Sequence, residues 1–257
     1  MRAAYPRDSG AVVHGAQWLL LVAAGFAAGA INAVAGGGSL VSFPALLAVG
    51  YSPVAANVTN LLAVLPGYAG GSIAYRRELA GQGGRVRSLG LLSAAGAGAG
   101  TALLLLGPAS VFRALAPWLI LVACGALAAR PLVTARAAGE AGARSGLYPL
   151  VGAGAVYGGY FGAGLGIMLL AVLGAFLPDD LQRLNALKGL LSLVVAVVSG
   201  IVVAIFGPVA WGAAGAMAAA SLAGGHVGVG LARRLDERVL RWAVVVYGVG
   251  VAIALLV

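Results

Sequence analysis

Apolar residues run through this chain in blocks separated by short polar or glycine-rich breaks. The blocks fall at about 16–35, 39–50, 53–75, 88–107, 111–130, 147–162, 166–177, 182–206, 208–231 and 239–257. A helix needs about 20 apolar residues to cross the hydrocarbon core of a bilayer. The blocks 53–75, 88–107, 111–130, 182–206, 208–231 and 239–257 meet that length. The blocks 39–50 and 166–177 are too short. Each begins directly after a glycine run and ends at turn residues, Gly50-Tyr51-Ser52-Pro53 and Leu177-Pro178-Asp179-Asp180.

The two glycine runs match. The first is Asn32-Ala33-Val34-Ala35-Gly36-Gly37-Gly38-Ser39; the second is Tyr157-Gly158-Gly159-Tyr160-Phe161-Gly162-Ala163-Gly164-Leu165-Gly166. Gly36 and Gly164 are 128 residues apart, as are Gly38 and Gly166. The same offset pairs Asn57 with Asn185, Asn60 with Lys188, Ser93 with Ser221, Gly96 with Gly224, Gly100 with Gly228 and Arg113 with Arg241. With 42 glycines some of these matches arise by chance, so the shared order and length of the blocks carries more weight. Interrupted apolar segments at corresponding places in two halves point to a transporter's binding site. Unwound backbone at membrane depth survives only inside protein or along a cavity.

Composition supports lipid as the solvent. Of 257 residues, 61% are hydrophobic and 9% charged, against roughly 25% charged in soluble domains. The net charge of +9 comes from arginines in short loops and not from an aromatic-interleaved basic patch, so nucleic acid is not the expected partner. Ala33-Val34-Ala35 faintly resembles a signal-cleavage site, but cleavage there would delete half of an element with a counterpart at 147–166. The single cysteine, Cys124, excludes an intramolecular disulfide and reads as a small buried residue or else a substrate contact.

Loop charge selects a topology. Arginines concentrate at 76–87, 130–144 and 232–241, whereas the turns at 107–110 and 207–208 are uncharged. Cytoplasmic loops carry the excess of Lys and Arg. All three arginine loops fall on one side if 16–50 and 147–177 are hairpins that enter, break at the glycines and leave by the same face. Arg113 is the exception and must snorkel or serve a ligand. The predicted fold is an all-α polytopic membrane protein of two inverted-topology repeats, each a broken re-entrant hairpin plus three transmembrane helices. A tail at 1–15 precedes repeat 1 (16–130), a cytoplasmic linker (131–146) and repeat 2 (147–257), with both termini outside.

After each break a half-helix begins, near Ser39 and near Ile167. Its first N–H groups lack intrahelical partners and its dipole is positive there. Glycine lets an anion approach such groups closely. The candidate substrate-binding set is Asn32, Gly36, Gly37, Gly38 and Ser39 at the first tip and Tyr160, Gly162, Gly164 and Gly166 at the second. To these are added Asn57, Thr59 and Asn60 on one span and Asn185 and Lys188 on another. Lys188, the only lysine, either snorkels to the inner surface or meets an anionic guest. The asparagines either bind substrate or bond between helices, and the other glycines, such as Gly96, Gly100 and Gly224, read as close-packing positions. His226 either couples protons or bonds a neighbouring helix. Asp179 and Asp180 read as caps of the next helix, and Trp18, Trp118, Trp211 and Trp242 as interface aromatics.

Enzyme signatures are missing from the sequence. There is no phosphate-binding Gly-Lys-Ser/Thr loop, no metal-spaced His/Cys/carboxylate group and no cofactor motif. The stretches 29–47 and 52–60, together with 158–166 and Asn185-Ala186-Leu187-Lys188, resemble the sulfite exporter TauE/SafE family of membrane transporters. The resemblance implies a multi-pass protein of the bacterial inner membrane handling small sulfur-containing oxyanions such as sulfite, thiosulfate or sulfonates. The expected function is a secondary transporter working by alternating access, with export the direction the resemblance implies. A passive anion channel on the same fold, or a membrane subunit without transport, are the alternatives.

Overall fold

The computed structural model describes residues 14–34, 37–129, 146–232 and 237–256. They form α1 (Gly15–Val34), α2 (Ser39–Ala48), α3 (Pro53–Ala63), α4 (Leu65–Ala74), α5 (Gly83–Leu106), α6 (Ala109–Ala128), α7 (Leu147–Tyr160), α8 (Leu165–Phe176), α9 (Leu181–Phe206), α10 (Trp211–Ala232) and α11 (Glu237–Leu256). Among the described residues, α5, α6, α9 and the Gly15–Asn32 part of α1 are long and apolar enough to span a membrane. The outward faces are apolar too: Leu91, Leu103, Ile201, Phe206 and Val246 are exposed. A soluble bundle would place charge there. The chain is an all-α, multi-pass membrane protein.

One predicted span is two helices. The block 53–75 bends between α3 and α4, where Val64 donates its N–H to the Asn60 carbonyl and Pro66 enters the first turn of α4. Proline has no N–H to continue the ladder. Ser52 caps α3 by accepting from the Ala55 N–H. Asp180 caps α9 by accepting from the N–H groups of Gln182 and Arg183, as expected. Asp179 instead pairs with arginines. Trp118 lies in the middle of α6 and not at its end, whereas Trp18, Trp211 and Trp242 stand near helix starts.

Close backbone packing explains several of the helical glycines. The α1 helix lies against α10 and α5 lies against α7. A Cβ on Gly29 would stand 2.0 Å from the Ser221 carbonyl oxygen, and one on Gly224 would stand 2.0 Å from that of Phe26. A Cβ on Gly100 would stand 2.0 Å from the Val156 carbonyl oxygen. Small residues let backbones approach where lipid offers no hydrophobic driving force between helices. Cys124 is buried, and a Cβ on Gly248 would meet its sulfur.

Candidate functional site

Both apolar stretches break where the glycines predict, between Val34 and Ser39 and between Tyr160 and Leu165, and the residues at the two breaks touch. The Cβ position of Gly37 lies 3.5 Å from the Ile167 and Leu127 side chains. Phe43 and Phe161 meet edge to face with centroids 5.3 Å apart. Asn57 on α3 donates from Nδ2 to the Tyr160 carbonyl at 2.9 Å, so an amide of the first half holds the second tip. Tyr160 also sets its ring against Phe112.

The first tip is held by side chains. Asn32, at the end of α1, accepts through Oδ1 from the Gly38 N–H at 2.8 Å. This satisfies one of the orphan donors at the start of α2. Ser42, one turn into α2, donates its hydroxyl to Asn60 Oδ1. Both carbonyls are therefore engaged, which fixes the orientation of both amides. Each NH₂ group remains buried without a partner among the described residues. Ser39 and Gly37 are buried in the same turn; Gly36 lies outside the described residues.

The second tip is turned by its backbone. Gly162 and Gly164 have φ of +81° and +77°, a region that β-carbon-bearing residues disfavour. Tyr157 donates its hydroxyl to the Ala163 carbonyl at 2.7 Å. Protein fills the space beside these glycines: a Cβ would stand 2.9 Å from Leu61 at Gly162 and 2.9 Å from Ala123 at Gly164. Gly166 is buried in the first turn of α8.

The remaining candidates fall elsewhere. Thr59 accepts from the Ala210 N–H at 3.0 Å and so braces the approach to α10. His226 is exposed on α10. Ser72 packs beside Gly189, whereas Leu62 and Leu65 pack against Gly200, so α3 and α4 run antiparallel to α9. Lys188 therefore lies about 18 Å along α9 from the level of Leu62, and Asn60 lies beyond it. Lys188 is buried and its Nζ donates to Asn185 Oδ1 at 3.3 Å. The structure thus gathers Asn32, Gly38 and Asn60 in one place and Asn185 and Lys188 in another.

An ionic cluster joins the halves at the arginine-loop face. Asp179, between α8 and α9, pairs with Arg85 at 2.7 Å and with Arg183 at 2.9 Å. Gln82 donates to the Arg183 carbonyl, and Arg183 donates to that of Ala80. Burial pushes the Asp179 carboxyl upward. The Arg85 hydrogen bond, the Asp180 backbone and the charges of both arginines outweigh it and hold the carboxyl below its ordinary value. The sequence reading missed Ser42, Ser72, Ser192 and the arginine partners of Asp179. Ser42 and Ser192 had a signal: each stands four residues after a candidate, Gly38 and Lys188, and so shares its helix face.

A family model for the sulfite exporter TauE/SafE matches residues 21–255. The chain belongs to this family. TauE-family members are membrane transporters and not enzymes. Among the described residues no group of His, Cys, Asp or Glu is arranged to hold a metal ion. Two curated relatives span nearly the whole chain. One is a probable membrane transporter protein, ORF9, of Sinorhizobium sp., 27% identical over 250 residues that cover 92% of this chain and 91% of the relative. The other is a probable membrane transporter protein of Haemophilus influenzae, 26% identical over 232 residues that cover 88% of this chain and 89% of the relative. No solved structure matches the chain.

Proposed function

We propose that this TauE-family transporter moves a small sulfur-containing oxyanion such as sulfite, thiosulfate or an organosulfonate, in the export direction, across the bacterial inner membrane. The observation that carries the reading is the pair of buried amide NH₂ groups on Asn32 and Asn60 beside the first tip. Their carbonyls are already engaged, so the pair offers donors and asks for an acceptor. Leaving buried donors unmet costs about 1–3 kcal/mol each. An oxyanion supplies several acceptors at once and makes charge-assisted bonds. The Gly38 N–H is occupied by Asn32, so the guest meets side-chain amides and the remaining N–H groups of the two tips.

Alternating access between two inverted repeats is the mechanism. It is supported by exchanged partnerships: α1 packs on α10 as α7 packs on α5, and α2 meets α3 as α8 meets α9. The arginine loops face the cytoplasm and both termini lie outside. Flux into proteoliposomes tests the reading. Sulfite, thiosulfate, sulfoacetate, sulfate and chloride are compared with an uncharged solute and a cation. Saturable flux of at least one sulfur oxyanion, with trans-stimulation, is expected. A preference for cations or neutral solutes overturns it.

A further inference from the structure

We infer that the site at the two tips takes its oxyanion in a protonated, singly charged form, hydrogen sulfite among the sulfur oxyanions, and that Asn57 is the residue that reads the proton. The inference rests on the oxyanion-transport reading and narrows it. Asn57 is fully buried. Its Nδ2 donates to the Tyr160 carbonyl. A carbonyl only accepts, so this bond fixes which end of the amide is which. The other end, Oδ1, is buried without a partner among the described residues. Asn32 and Asn60 are fixed in the opposite sense. Their carbonyls are taken by the Gly38 N–H and the Ser42 hydroxyl, and their NH₂ groups are left over. The three amides therefore offer two donors and one acceptor.

These groups stand on converging surfaces. Asn57 and Asn60 are one turn apart on α3 and face the same side. Around the helix Asn60 lies about 60° to one side of Asn57 and Leu61 about 40° to the other. Asn60 meets Ser42, whose hydroxyl also reaches the Gly38 carbonyl, and Gly38 carries the Asn32 contact. Leu61 lies 2.9 Å from the Cβ position of Gly162. Asn57 thus stands between the first tip and the second. Its carbonyl and the Asn60 NH₂ are complementary yet unbonded, because each amide is drawn away by the bond at its far end. A guest that bridges them accepts from Asn60 and donates to Asn57. A fully ionised oxyanion only accepts, and it leaves Oδ1 unmet at a cost of about 1–3 kcal/mol. Hydrogen sulfite, protonated on oxygen, carries acceptors for both NH₂ groups and an O–H for Asn57. Its single charge also costs less to bring out of water among neutral amides than the two charges of sulfite. Sulfite gains this proton near neutral pH, whereas thiosulfate and sulfonates stay unprotonated there, so the site prefers sulfite to them.

Equilibrium binding to the purified full-length protein in detergent tests this, with sulfite and methanesulfonate as probes. Methanesulfonate has the three oxygens and the single charge of hydrogen sulfite but no O–H. Both are measured on the acid and the alkaline side of the sulfite ionisation. On the acid side sulfite is expected to bind about tenfold or more tighter than methanesulfonate. On the alkaline side its binding weakens by a similar factor, and that of methanesulfonate holds. Methanesulfonate also reports any titration of the protein itself. The helices α2 and α3 carry no titratable side chain. Among the groups on elements packed around them, Tyr157 is engaged with Ala163, Cys124 is buried beside Gly248, and Arg113 and His226 are exposed. Lys188 lies about 18 Å along α9 from the level of Leu62. Asn57→Leu is expected to bind the two probes alike on the acid side; if it does not fold, the wild-type comparison carries the test. Equal binding of both probes by the wild type, sulfite binding that holds or strengthens on the alkaline side, or a preference that Asn57→Leu keeps, overturns the inference and leaves the transport reading standing. No binding of any sulfur oxyanion by the folded wild type overturns both.

Discussion

The two hairpin tips solve one problem by different chemistry. Each must turn an apolar chain and satisfy the exposed ends of two helices. At the first tip Gly38 keeps right-handed helical angles, and the Asn32 side chain caps it. At the second, two glycines take left-handed angles and the Tyr157 hydroxyl ties down a carbonyl. The first tip leaves the side-chain NH₂ groups of Asn32 and Asn60 over. The same asymmetry separates Asn60 from Lys188, which occupy corresponding positions. One half offers neutral donors, the other a positive charge.

The sharpest break in the comparison comes from the glycines. At Gly38 a Cβ would stand 2.0 Å from the Ala28 carbonyl oxygen. Gly38→Ala is expected to lower stability by about 3 kcal/mol or more, read as lost folded yield on gel filtration. Gly37→Ala, with ordinary contacts at 3.5 Å, is expected to stay within about 0.5 kcal/mol. If the two variants behave alike, the tight first tip is wrong. Gly164→Ala faces a left-handed backbone and a contact at 2.9 Å with Ala123, and should lose about 2 kcal/mol.

Changes to the polar groups should be smaller in stability and larger in transport. Asn60→Leu is expected to reduce oxyanion flux about tenfold or more while the protein still inserts. Lys188→Ala should reduce it to a similar degree, and normal flux in the latter removes Lys188 from the pathway. Tyr157→Phe deletes the hydrogen bond to Ala163 at the second tip. About 1 kcal/mol of stability should go with it, visible as a lowered melting temperature with flux retained. At the first tip the Ser42 hydroxyl, which reaches Asn60 Oδ1 and the Gly38 carbonyl, is the counterpart.

Asp179→Asn should have the smallest effect at neutral pH, because the cluster is partly exposed and such pairs are worth little. Its signature is the pH dependence. The folded-state carboxyl is held below its ordinary value. Its contribution to stability is therefore complete above that ordinary value, near 3.9, and lost as pH falls through the lower folded value. Melting curves taken downward from pH 6 should show the wild type losing an acid-range increment that Asp179→Asn lacks. Parallel curves would mean that the cluster does not tie the two halves together.

Much of this was legible in one dimension. Block lengths gave α5, α6 and α9 as spanning helices and the glycine runs gave both breaks, whereas the block 16–35, read as half of a hairpin, yields a helix that is itself long and apolar enough to span. Pro66 was visible within the block 53–75, but hydropathy alone does not register a missing N–H, so the bend between α3 and α4 was read as one span. Ser42 and Ser192 were marked only by standing four residues after Gly38 and Lys188, and Ser72 had no mark at all, because a serine in an apolar helix has no distinctive pattern of its own. Its importance depends on what the neighbouring helix brings to it.

The order of apolar and glycine residues determined by itself that this chain lives in lipid and where it breaks. Those properties follow from local geometry and from the thickness of a bilayer. Only the tertiary structure decided which atoms meet: that Asn32 and Asn60 turn their carbonyls inward and leave their NH₂ groups over, that Asn57 holds the opposite tip, and that Lys188 lies far from Asn60. The physical reason is that a hydrogen bond is satisfied over about 3 Å, and which groups come that close depends on how helices distant in sequence cross.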